Sequence, residues 1–264
     1  MSTLNRINDI KLEDNYFKSY NLGYKTLDEM LGKIKEKTVI TIAARPEMGK
    51  TNFINNIILN LLSEYNLPTL YVNLEEDKEN SLIRLSSIYT KKPFYNIRED
   101  KKLINKTVDK FQKENYNLFI SDDSLTILDL ENLLEENKSI NIKFLFINYI
   151  QNVKNEKVLK SSYDTCKDIA NRIQKLSNKY NLVIFLSSQL PRSIENRKNK
   201  RPLLSDLKYE GLEEISDIVI MLYHDYCYDT KVKSEIIVSK NRNGSLGTTY
   251  LEYDRELLTF SDNN

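Results

Sequence analysis

The stretch AARPEMGKT at residues 43–51 follows directly on an apolar run, TVITIA at 38–43. Its last three residues, Gly-Lys-Thr, match the end of the motif G-x-x-x-x-G-K-[ST], a loop whose backbone N–H groups surround phosphates. Ala44 stands where the motif has its first glycine, and alanine can serve there if its φ stays negative. Apolar residues at helical spacing follow at 52–65, so the loop connects a predicted strand to a predicted helix, as the motif requires.

This loop predicts a site for ATP and Mg²⁺. In such loops the lysine, here Lys50, reaches the β and γ phosphates, and the hydroxyl, here Thr51, ligates Mg²⁺. The positive end of the following helix adds to the attraction for phosphate. The alternative is a tight strand–helix turn whose lysine faces solvent. The residues expected to contact the nucleotide are Ala44, Arg45, Pro46, Glu47, Met48, Gly49, Lys50, Thr51 and Asn52.

The length of 264 residues suits one large domain with a short arm, which we place at 1–20 ahead of a domain at 21–264. Lys and Arg (39) nearly balance Asp and Glu (38), so any nucleic-acid site has to be a local patch. Two distant cysteines, Cys166 and Cys227, and a single histidine provide neither a zinc site nor a disulfide framework. No apolar run approaches the roughly 20 residues of a membrane helix, and the N-terminus lacks the apolar core of a signal peptide. We therefore expect a cytoplasmic protein without a membrane partner.

Predicted strands and helices alternate along most of the chain. Such alternation predicts an α/β fold with a mostly parallel central sheet and helices on both faces. The last two strands flank Asn243-Gly244, a turn signal typical of hairpins, so we expect an antiparallel edge hairpin. The predicted strands are 38–44, 68–74, 117–123, 143–150, 181–190, 215–225, 234–242 and 247–254. The predicted helices are a short one ending near Gly32 and longer ones at 52–65, 78–90, 128–137 and 163–180.

Several segments resemble, in order, the motifs of one family. They are GYKTLDEMLGKI at 23–34, ARPEMGKT at 44–51, YVNLEED at 71–77, LFINYIQNV at 145–153, VIFLSSQLPRSIENRKNKRPLLSDLKYEG at 183–211 and VSKNRNGSLGT at 238–248. Over roughly residues 20–262 the chain resembles the DnaB family of replicative DNA helicases, in which alanine stands at the position of Ala44. The resemblance implies a RecA-like P-loop NTPase fold.

The resemblance also implies which residues serve ATP hydrolysis besides Lys50. Glu75, at the end of the second predicted strand, would orient or deprotonate the attacking water. Gln189, at the end of another strand, would sense the γ-phosphate. Lys240 and Arg242 would project into the nucleotide site of a neighbouring subunit, Arg242 as an arginine finger. Without the resemblance, Glu75 would be interpreted as an exposed acid, and the last two as charges that protect an edge strand.

Asn148 departs from the family pattern, which has an aspartate in I-D-Y-L-Q. With Thr51 it forms the predicted metal shell. Asparagine keeps one acceptor oxygen but lacks the negative charge, so Mg²⁺ should bind more weakly. We expect slowed hydrolysis, because Glu75 and Lys50 remain. The sharper alternative is a protein that binds ATP without turning it over.

A basic loop follows the strand that ends at Gln189 and suits contacts to a nucleic-acid backbone. By resemblance, Lys208 to Gly211 approach single-stranded DNA in a central channel, where the family has R-E-x-G. Lys208 keeps the charge but cannot form a bidentate fork. The alternative is an ordinary solvated loop. The predicted DNA-binding residues are Arg192, Arg197, Lys198, Lys200, Arg201, Lys208 and Gly211.

Together these features predict the motor domain of an ATP-dependent DNA helicase that moves 5′ to 3′ on single-stranded DNA as a homo-hexameric ring. About 20 residues precede this motor, so we expect a motor domain alone or a compact helicase of a phage or mobile element. A primase or a helicase loader is a further expected partner. Two alternatives stay open: an accessory module that binds ATP and DNA with weak or no hydrolysis, and a RecA-like ATPase of the recombination or clock-protein type.

Overall fold

A nine-stranded sheet organises residues 18–225 and 229–262, which are the residues that the computed structural model describes. In chain order the strands are β1 (Val39–Ala44), β2 (Thr69–Asn73), β3 (Leu118–Ser121), β4 (Phe144–Asn148), β5 (Val183–Gln189), β6 (Ile218–Tyr223), β7 (Lys231–Asn241), β8 (Gly247–Asp254) and β9 (Thr259–Asp262). Their order across the sheet is β3-β2-β4-β5-β1-β6-β7-β8-β9. β1 to β6 pair in parallel, which confirms the predicted mostly parallel sheet.

The antiparallel edge is wider than the sequence predicted. β7 and β8 form the expected hairpin, with Lys231 opposite Asp254 at its open end. β9 adds a third antiparallel strand beside β8, and the prediction of two strands was incomplete there. β9 has four residues of mixed polarity, TFSD, which lack the apolar alternation of a recognisable strand.

Helices cover both faces of the sheet, as predicted. They are α1 (Lys25–Leu31), α2 (Lys50–Tyr65), α3 (Lys78–Thr90), α4 (Phe94–Glu99), α5 (Lys101–Lys113), α6 (Ile127–Glu136), α7 (Ser162–Tyr180) and α8 (Leu212–Ile215). Short 3-10 turns lie at Lys138–Ile140, Ile150–Asn152, Arg192–Asn196 and Leu204–Asp206. The segment 91–116, which the sequence left unassigned, contains α4 and α5.

Alternation along the strands divides the core into two layers. On β1, Ile40 and Ile42 pack with α1 to α3, whereas Val39 and Ala43 pack with α6 to α8 on the opposite face. The rings of Phe146 on β4 and Phe185 on β5 stack in the first layer with centroids 4.3 Å apart. Burying one such side chain contributes about 1.5–3 kcal/mol, so these layers hold the strand ends in place.

Polar caps fix where several helices begin. Asp77 accepts from the backbone of Asn80 at the start of α3, and Thr126 forms a reciprocal capping box with Asp129 at the start of α6. Each such cap stabilises its helix by about 1 kcal/mol. Asn181, in the left-handed region, ends α7 and turns the chain directly into β5. Local sequence therefore fixes the ends of these helices, and with them the points at which the following strands begin.

Predicted and observed boundaries differ mostly at strand ends. The predicted strand 143–150 ends at Asn148, because Ile150 begins a 3-10 turn. The predicted strand 215–225 begins only at Ile218, because Ile215 ends α8. Both predictions were too long, since buried apolar residues of adjoining turns extend the apolar run of a strand.

The predicted arm at 1–20 falls mostly outside the described residues, which begin at Lys18. Tyr20 is buried and packs edge-on against Tyr65 and Phe144. Its backbone also pairs with Ile34. The packed domain therefore includes Tyr20. Within 18–225 and 229–262, no helix is long and apolar enough to cross a membrane.

Candidate nucleotide site

The phosphate loop lies where β1 ends and α2 begins. Ala44 is the last residue of β1, and its φ is negative, so the condition for an alanine at this position is met. The turn itself is made by Glu47 and Gly49, whose φ values are 69° and 79°. A Cβ at Gly49 would lie 2.9 Å from the ring of Tyr253. The second glycine of the motif is therefore required both by the backbone and by its neighbour.

Lys50, the first residue of α2, is buried at the centre of the site. Its Nζ donates to Oδ1 of Asn148 at 3.1 Å and to Oγ of Ser187. Burial lowers the pKa of Lys50 to about 8, against the opposing effect of the Glu75 carboxylate. The alternative of a solvent-facing lysine in a plain turn is wrong, because the ammonium points between β4 and β5.

Asn148, at the end of β4, forms hydrogen bonds with both Lys50 and Glu75. Its Oδ1 accepts from Lys50 and, at 2.7 Å, from Oγ of Ser187. Its Nδ2 donates to Oδ1 of Asn73 at 3.0 Å and to Oε2 of Glu75 at 3.2 Å. In this buried amide, the oxygen thus faces donors and the nitrogen faces acceptors.

Glu75 follows β2 and reaches the loop. The hydroxyl of Thr51 donates to its Oε2 at 3.2 Å, and its backbone N–H donates to Oδ1 of Asn73 at 3.3 Å. Parallel strands present their carboxyl ends at one edge of the sheet. That shared edge brings β1, β2, β4 and β5 together here, as the sequence predicted.

A cavity of about 260 Å³ opens beside these groups. Two of the nine predicted contact residues, Ala44 and Met48, do not line it, and their side chains are buried. Gln189, at the end of β5, contributes its exposed side chain, and its role as a γ-phosphate sensor stays a prediction. The lining residues are Arg45, Pro46, Glu47, Gly49, Lys50, Thr51, Asn52, Glu75, Glu76, Arg84, Gln189 and Tyr253.

The far end of the cavity was not predicted. Arg84 of α3 donates to both oxygens of Glu76, at 2.7 and 2.5 Å. It also donates to Oδ1 of Asn52 at 3.2 Å, and Asn52 donates to the hydroxyl of Tyr253 at 2.6 Å. The guanidinium lies over the ring of Phe94, 5.1 Å from its centroid. No local pattern relates these residues, because they meet only through the packing of α2, α3 and β8.

Ser187 and Asn73 were also missed, although each stands close to a residue that was found. Ser187 lies two residues before Gln189 on β5, and Asn73 two residues before Glu75. In a strand, residues two apart face the same side. That rule relates Ser187 to Gln189 within β5, whereas Glu75 lies beyond the end of β2, so the rule does not extend to Asn73.

Lys240 and Arg242 lie near the amino ends of the parallel strands, whereas the cavity lies at their carboxyl ends. Lys240 is paired with Val219 on β6, and Val219 is paired with Thr41 near the start of β1. Nζ of Lys240 donates to the carbonyl of Glu213 at 2.5 Å. Arg242 donates to the carboxylate of Asp217 at 3.1 Å and to the carbonyl of Glu214 at 3.0 Å. Both side chains point to the same segment, 213–217, and away from the cavity of their own chain.

The predicted DNA-binding loop divides into paired and unpaired cations. Arg197 forms two hydrogen bonds with Asp206, at 3.1 and 2.7 Å, and Arg201 forms two with Glu235, at 2.7 and 2.5 Å. Lys200 lies 3.5 Å from Glu195. Three others are exposed and make no ion pair or hydrogen bond through their side chains with the rest of the described chain: Arg192, Lys198 and Lys208.

Gly211 has a backbone reason to be glycine. Its φ is 86°, and a Cβ there would lie 2.9 Å from Cβ of Ala170 on α7. It precedes α8, whose carbonyls hold Lys240 and Arg242. The glycine therefore lets the basic loop pass close to α7 on its way to β6.

The model of one family, the DnaB-like helicase C terminal domain, matches residues 20–262. The chain belongs to this family. It is 32% identical over 259 residues to the replicative DNA helicase DnaB of Buchnera aphidicola subsp. Baizongia pistaciae (strain Bp), covering 92% of this chain and 55% of that protein. It is 31% identical to a probable plasmid replicative DNA helicase of Chlamydia psittaci over 88% of this chain and 53% of that protein. The chain thus spans about half the length of these curated relatives.

Solved structures agree with the family. A DnaB-like replicative helicase, solved in a study of its interactions with primase, superposes with a TM-score of 0.80 at 26% identity, covering 92% of this chain and 62% of that one. Another solved ATPase domain superposes with a TM-score of 0.84 at 26% identity, covering 95% of this chain and 93% of that one. A KaiC-like protein of Pyrococcus horikoshii OT3, at 18% identity and a TM-score of 0.66, covers 94% of this chain and 99% of that one and shares the fold. The RecA-like fold is therefore confirmed.

The oxygen atoms that Mg²⁺ could use lie at the phosphate loop and at the end of β2. The Thr51 hydroxyl and the Glu75 carboxylate lie side by side at the loop, and oxygen donors suit this ion. Oδ1 of Asn148 instead accepts from Lys50 and Ser187, and its role as a ligand stays a prediction. Among the described residues, no group of three His, Cys, Asp or Glu could hold a metal. The Thr51 hydroxyl and the Glu75 carboxylate could hold a Mg²⁺ together with nucleotide phosphates.

Proposed function

We propose that the chain is the ATP-hydrolysing motor domain of a replicative DNA helicase that moves 5′ to 3′ on single-stranded DNA. One observation carries this proposal: the buried Lys50 ammonium, the Thr51 hydroxyl and the Glu75 carboxylate converge at the carboxyl edge of a parallel sheet. The ammonium can bind phosphates, and the hydroxyl can bind a Mg²⁺ that is held by phosphates. The carboxylate can act on an attacking water. Family membership supports the same chemistry.

In this proposal each residue of the cavity has one task. Lys50 binds the β and γ phosphates, and backbone N–H groups of the loop surround them. Mg²⁺, when bound, neutralises charge on the phosphate oxygens. Glu75 takes a proton from water or orients it, while Gln189 donates to the γ-phosphate and relays its presence to the loop that begins at Arg192. Arg45 of the phosphate loop forms an ion pair with Glu195 and so connects that loop to the one that begins at Arg192.

The proposed assembly is a homo-hexameric ring with ATP between subunits. Its support is the position of Lys240 and Arg242, which lie at the edge of the sheet opposite their own cavity. A neighbouring subunit can use both cations on the γ-phosphate. Single-stranded DNA is bound in the channel by the unpaired cations Arg192, Lys198 and Lys208. A primase or a loader is a partner of the same assembly.

A second candidate function rests on Asn148. The amide lacks the charge that the family's aspartate provides, and a module that binds ATP and DNA without productive turnover would have the same cavity. Lys50, Glu75, Lys240 and Arg242 together favour the motor, because a module that never hydrolyses ATP has no need of the full set.

Mg²⁺-dependent ATP hydrolysis, with and without single-stranded DNA, tests the proposal. Lys50→Ala is the inactive reference, and Lys175→Ala, which removes an exposed lysine of α7, is the matched control. We expect hydrolysis that DNA stimulates, that Lys50→Ala abolishes and that Lys175→Ala leaves intact, together with unwinding of a forked duplex. ATP binding without hydrolysis under every condition would favour the module instead.

A further inference from the structure

Three carboxylates line the cavity, and only one approaches the metal-binding hydroxyl. Glu76 is held by two hydrogen bonds from Arg84 at the far end. Glu47 is exposed in the turn of the loop, and its side chain has no hydrogen bond or ion pair within the described chain. Glu75 places Oε2 at 3.2 Å from Oγ1 of Thr51. The negative charge nearest to the hydroxyl thus belongs to Glu75.

The amide at position 148 permits this approach. Nδ2 of Asn148 donates to Oε2 of Glu75 at 3.2 Å. An aspartate there would have only acceptor oxygens and would place a second negative charge at that distance, which would repel Glu75. An amide at the end of β4 is therefore compatible with the Glu75 carboxylate beside Thr51, whereas a carboxylate there would disfavour that position.

Asn73 fixes the direction of the amide. Its Oδ1 accepts from Nδ2 of Asn148 at 3.0 Å, and its Nδ2 donates to Oγ of Ser81 at 2.7 Å. The same Oδ1 accepts from the backbone N–H of Glu75 at 3.3 Å. Because Lys50 and Ser187 donate to the other side of Asn148, the amide cannot turn over without leaving donors facing donors. Its donor side stays toward Glu75.

From this geometry we propose that Glu75 supplies the negative charge of the Mg²⁺ shell in this chain, in place of the carboxylate that position 148 lacks. Mg²⁺ is bound in proteins through one or two carboxylates together with phosphates and water. Glu75 thus serves the metal as well as the attacking water, and Asn73 and Asn148 are positioning residues for it. The inference rests on the proposed binding of Mg²⁺ with ATP.

Metal affinity, measured apart from hydrolysis, tests this role. Mn²⁺ replaces Mg²⁺ as the probe, and its binding is followed by electron paramagnetic resonance with a non-hydrolysable ATP analogue present. The proteins compared are wild type, Glu75→Gln, Asn148→Asp, the double variant and Glu79→Gln. The last variant neutralises an exposed carboxylate of α3 that does not line the cavity, and it is the matched control. Analogue binding in EDTA verifies that each variant is folded and retains its nucleotide site.

We expect Glu75→Gln to weaken Mn²⁺ binding at least about tenfold, because the shell loses its carboxylate, while Glu79→Gln changes it little. Adding Asn148→Asp to Glu75→Gln should restore Mn²⁺ affinity without restoring hydrolysis, because the charge returns but the base does not. Unchanged Mn²⁺ affinity in Glu75→Gln would overturn the inference, and so would a double variant that stays weak. If wild type does not bind the analogue at all, the proposed function fails first.

Discussion

Lys50 donates a hydrogen bond to Oδ1 of Asn148 at 3.1 Å, so a buried ammonium rests against a neutral amide. Burial lowers the pKa of Lys50 to about 8, and the charge of Glu75 opposes that shift only in part. The family's aspartate at position 148 would place a full negative charge against the ammonium. This one substitution therefore affects Lys50, Glu75 and the proposed metal shell together.

Asn148→Asp should speed ATP hydrolysis. The new carboxylate would hold the metal and keep Lys50 charged, and Glu75 would be left to act on water alone. A gain of about 1.4 kcal/mol in transition-state stabilisation corresponds to a rate about tenfold higher. Steady-state kcat with saturating Mg²⁺ and ATP measures it, and Asn148→Ala, which removes the amide contacts, should be slower than wild type. A variant no faster than wild type would contradict the assignment of Asn148 as the weak point.

ATP affinity should fall as pH rises through about 8. Lys50 binds phosphate only while protonated, and its lowered pKa places the loss of that charge near pH 8. Between about pH 7.5 and about pH 9.5 the protonated fraction of a group with that pKa falls by roughly tenfold or more, and affinity should fall with it. Titration of a fluorescent ATP analogue across this range measures the effect.

The control for the pH experiment is Asn148→Asp. A carboxylate beside the ammonium raises the pKa of a lysine, so the fall in affinity should move to higher pH in this variant. If the ATP affinity of wild type stays constant across the same pH range, there are two explanations. Either the bound phosphate keeps Lys50 protonated, or ATP binding does not depend on the charge of Lys50.

The sequence was sufficient for most of the fold because hydrophobic periodicity and caps are local. The strand–loop–helix around Lys50, the parallel sheet and the ends of α6 and α7 all follow from residues close together in the chain. α5 was missed although its apolar residues, among them Leu103 and Phe111, recur at helical spacing. β9 carried no such signal, since four residues cannot establish a period.

The site was predictable only as far as motifs extend. Lys50, Thr51 and Glu75 were found from their patterns, and the structure brings them together. The Arg84–Glu76 pair depends on how α3 packs over the loop, which no local pattern encodes. Charge runs were the least informative, because pairing decides which cations remain available. Arg197 and Arg201 are neutralised by carboxylates that lie outside the run itself, Asp206 and Glu235.

Single-stranded DNA binding should depend on the unpaired cations of the loop. Lys198→Ala with Lys208→Ala should weaken binding and reduce the slope of log K against log salt by about 1.4, since each phosphate contact on a single strand contributes about 0.7. Fluorescence anisotropy with a labelled oligonucleotide at several salt concentrations measures the slope. Arg197→Ala should instead lower thermal stability, because its bidentate pair with the half-buried Asp206 is lost. A salt slope that is the same in the double variant and wild type would remove these lysines from the interface.

ATP hydrolysis should recover when two inactive variants are mixed. Lys50→Ala disables the cavity, and Arg242→Ala disables the cation at the opposite edge of the sheet. If Arg242 acts on a neighbour, a mixed ring contains sites in which an intact cavity faces an intact arginine. With random exchange at equal amounts, about a quarter of the sites are of this kind, and hydrolysis should return to a corresponding fraction. Steady-state ATP hydrolysis after subunit exchange measures the recovery, with each variant alone as the baseline. A mixture as inactive as its components would mean that Arg242 does not act across subunits, and its hydrogen bonds to Asp217 and Glu214 would then be its whole role.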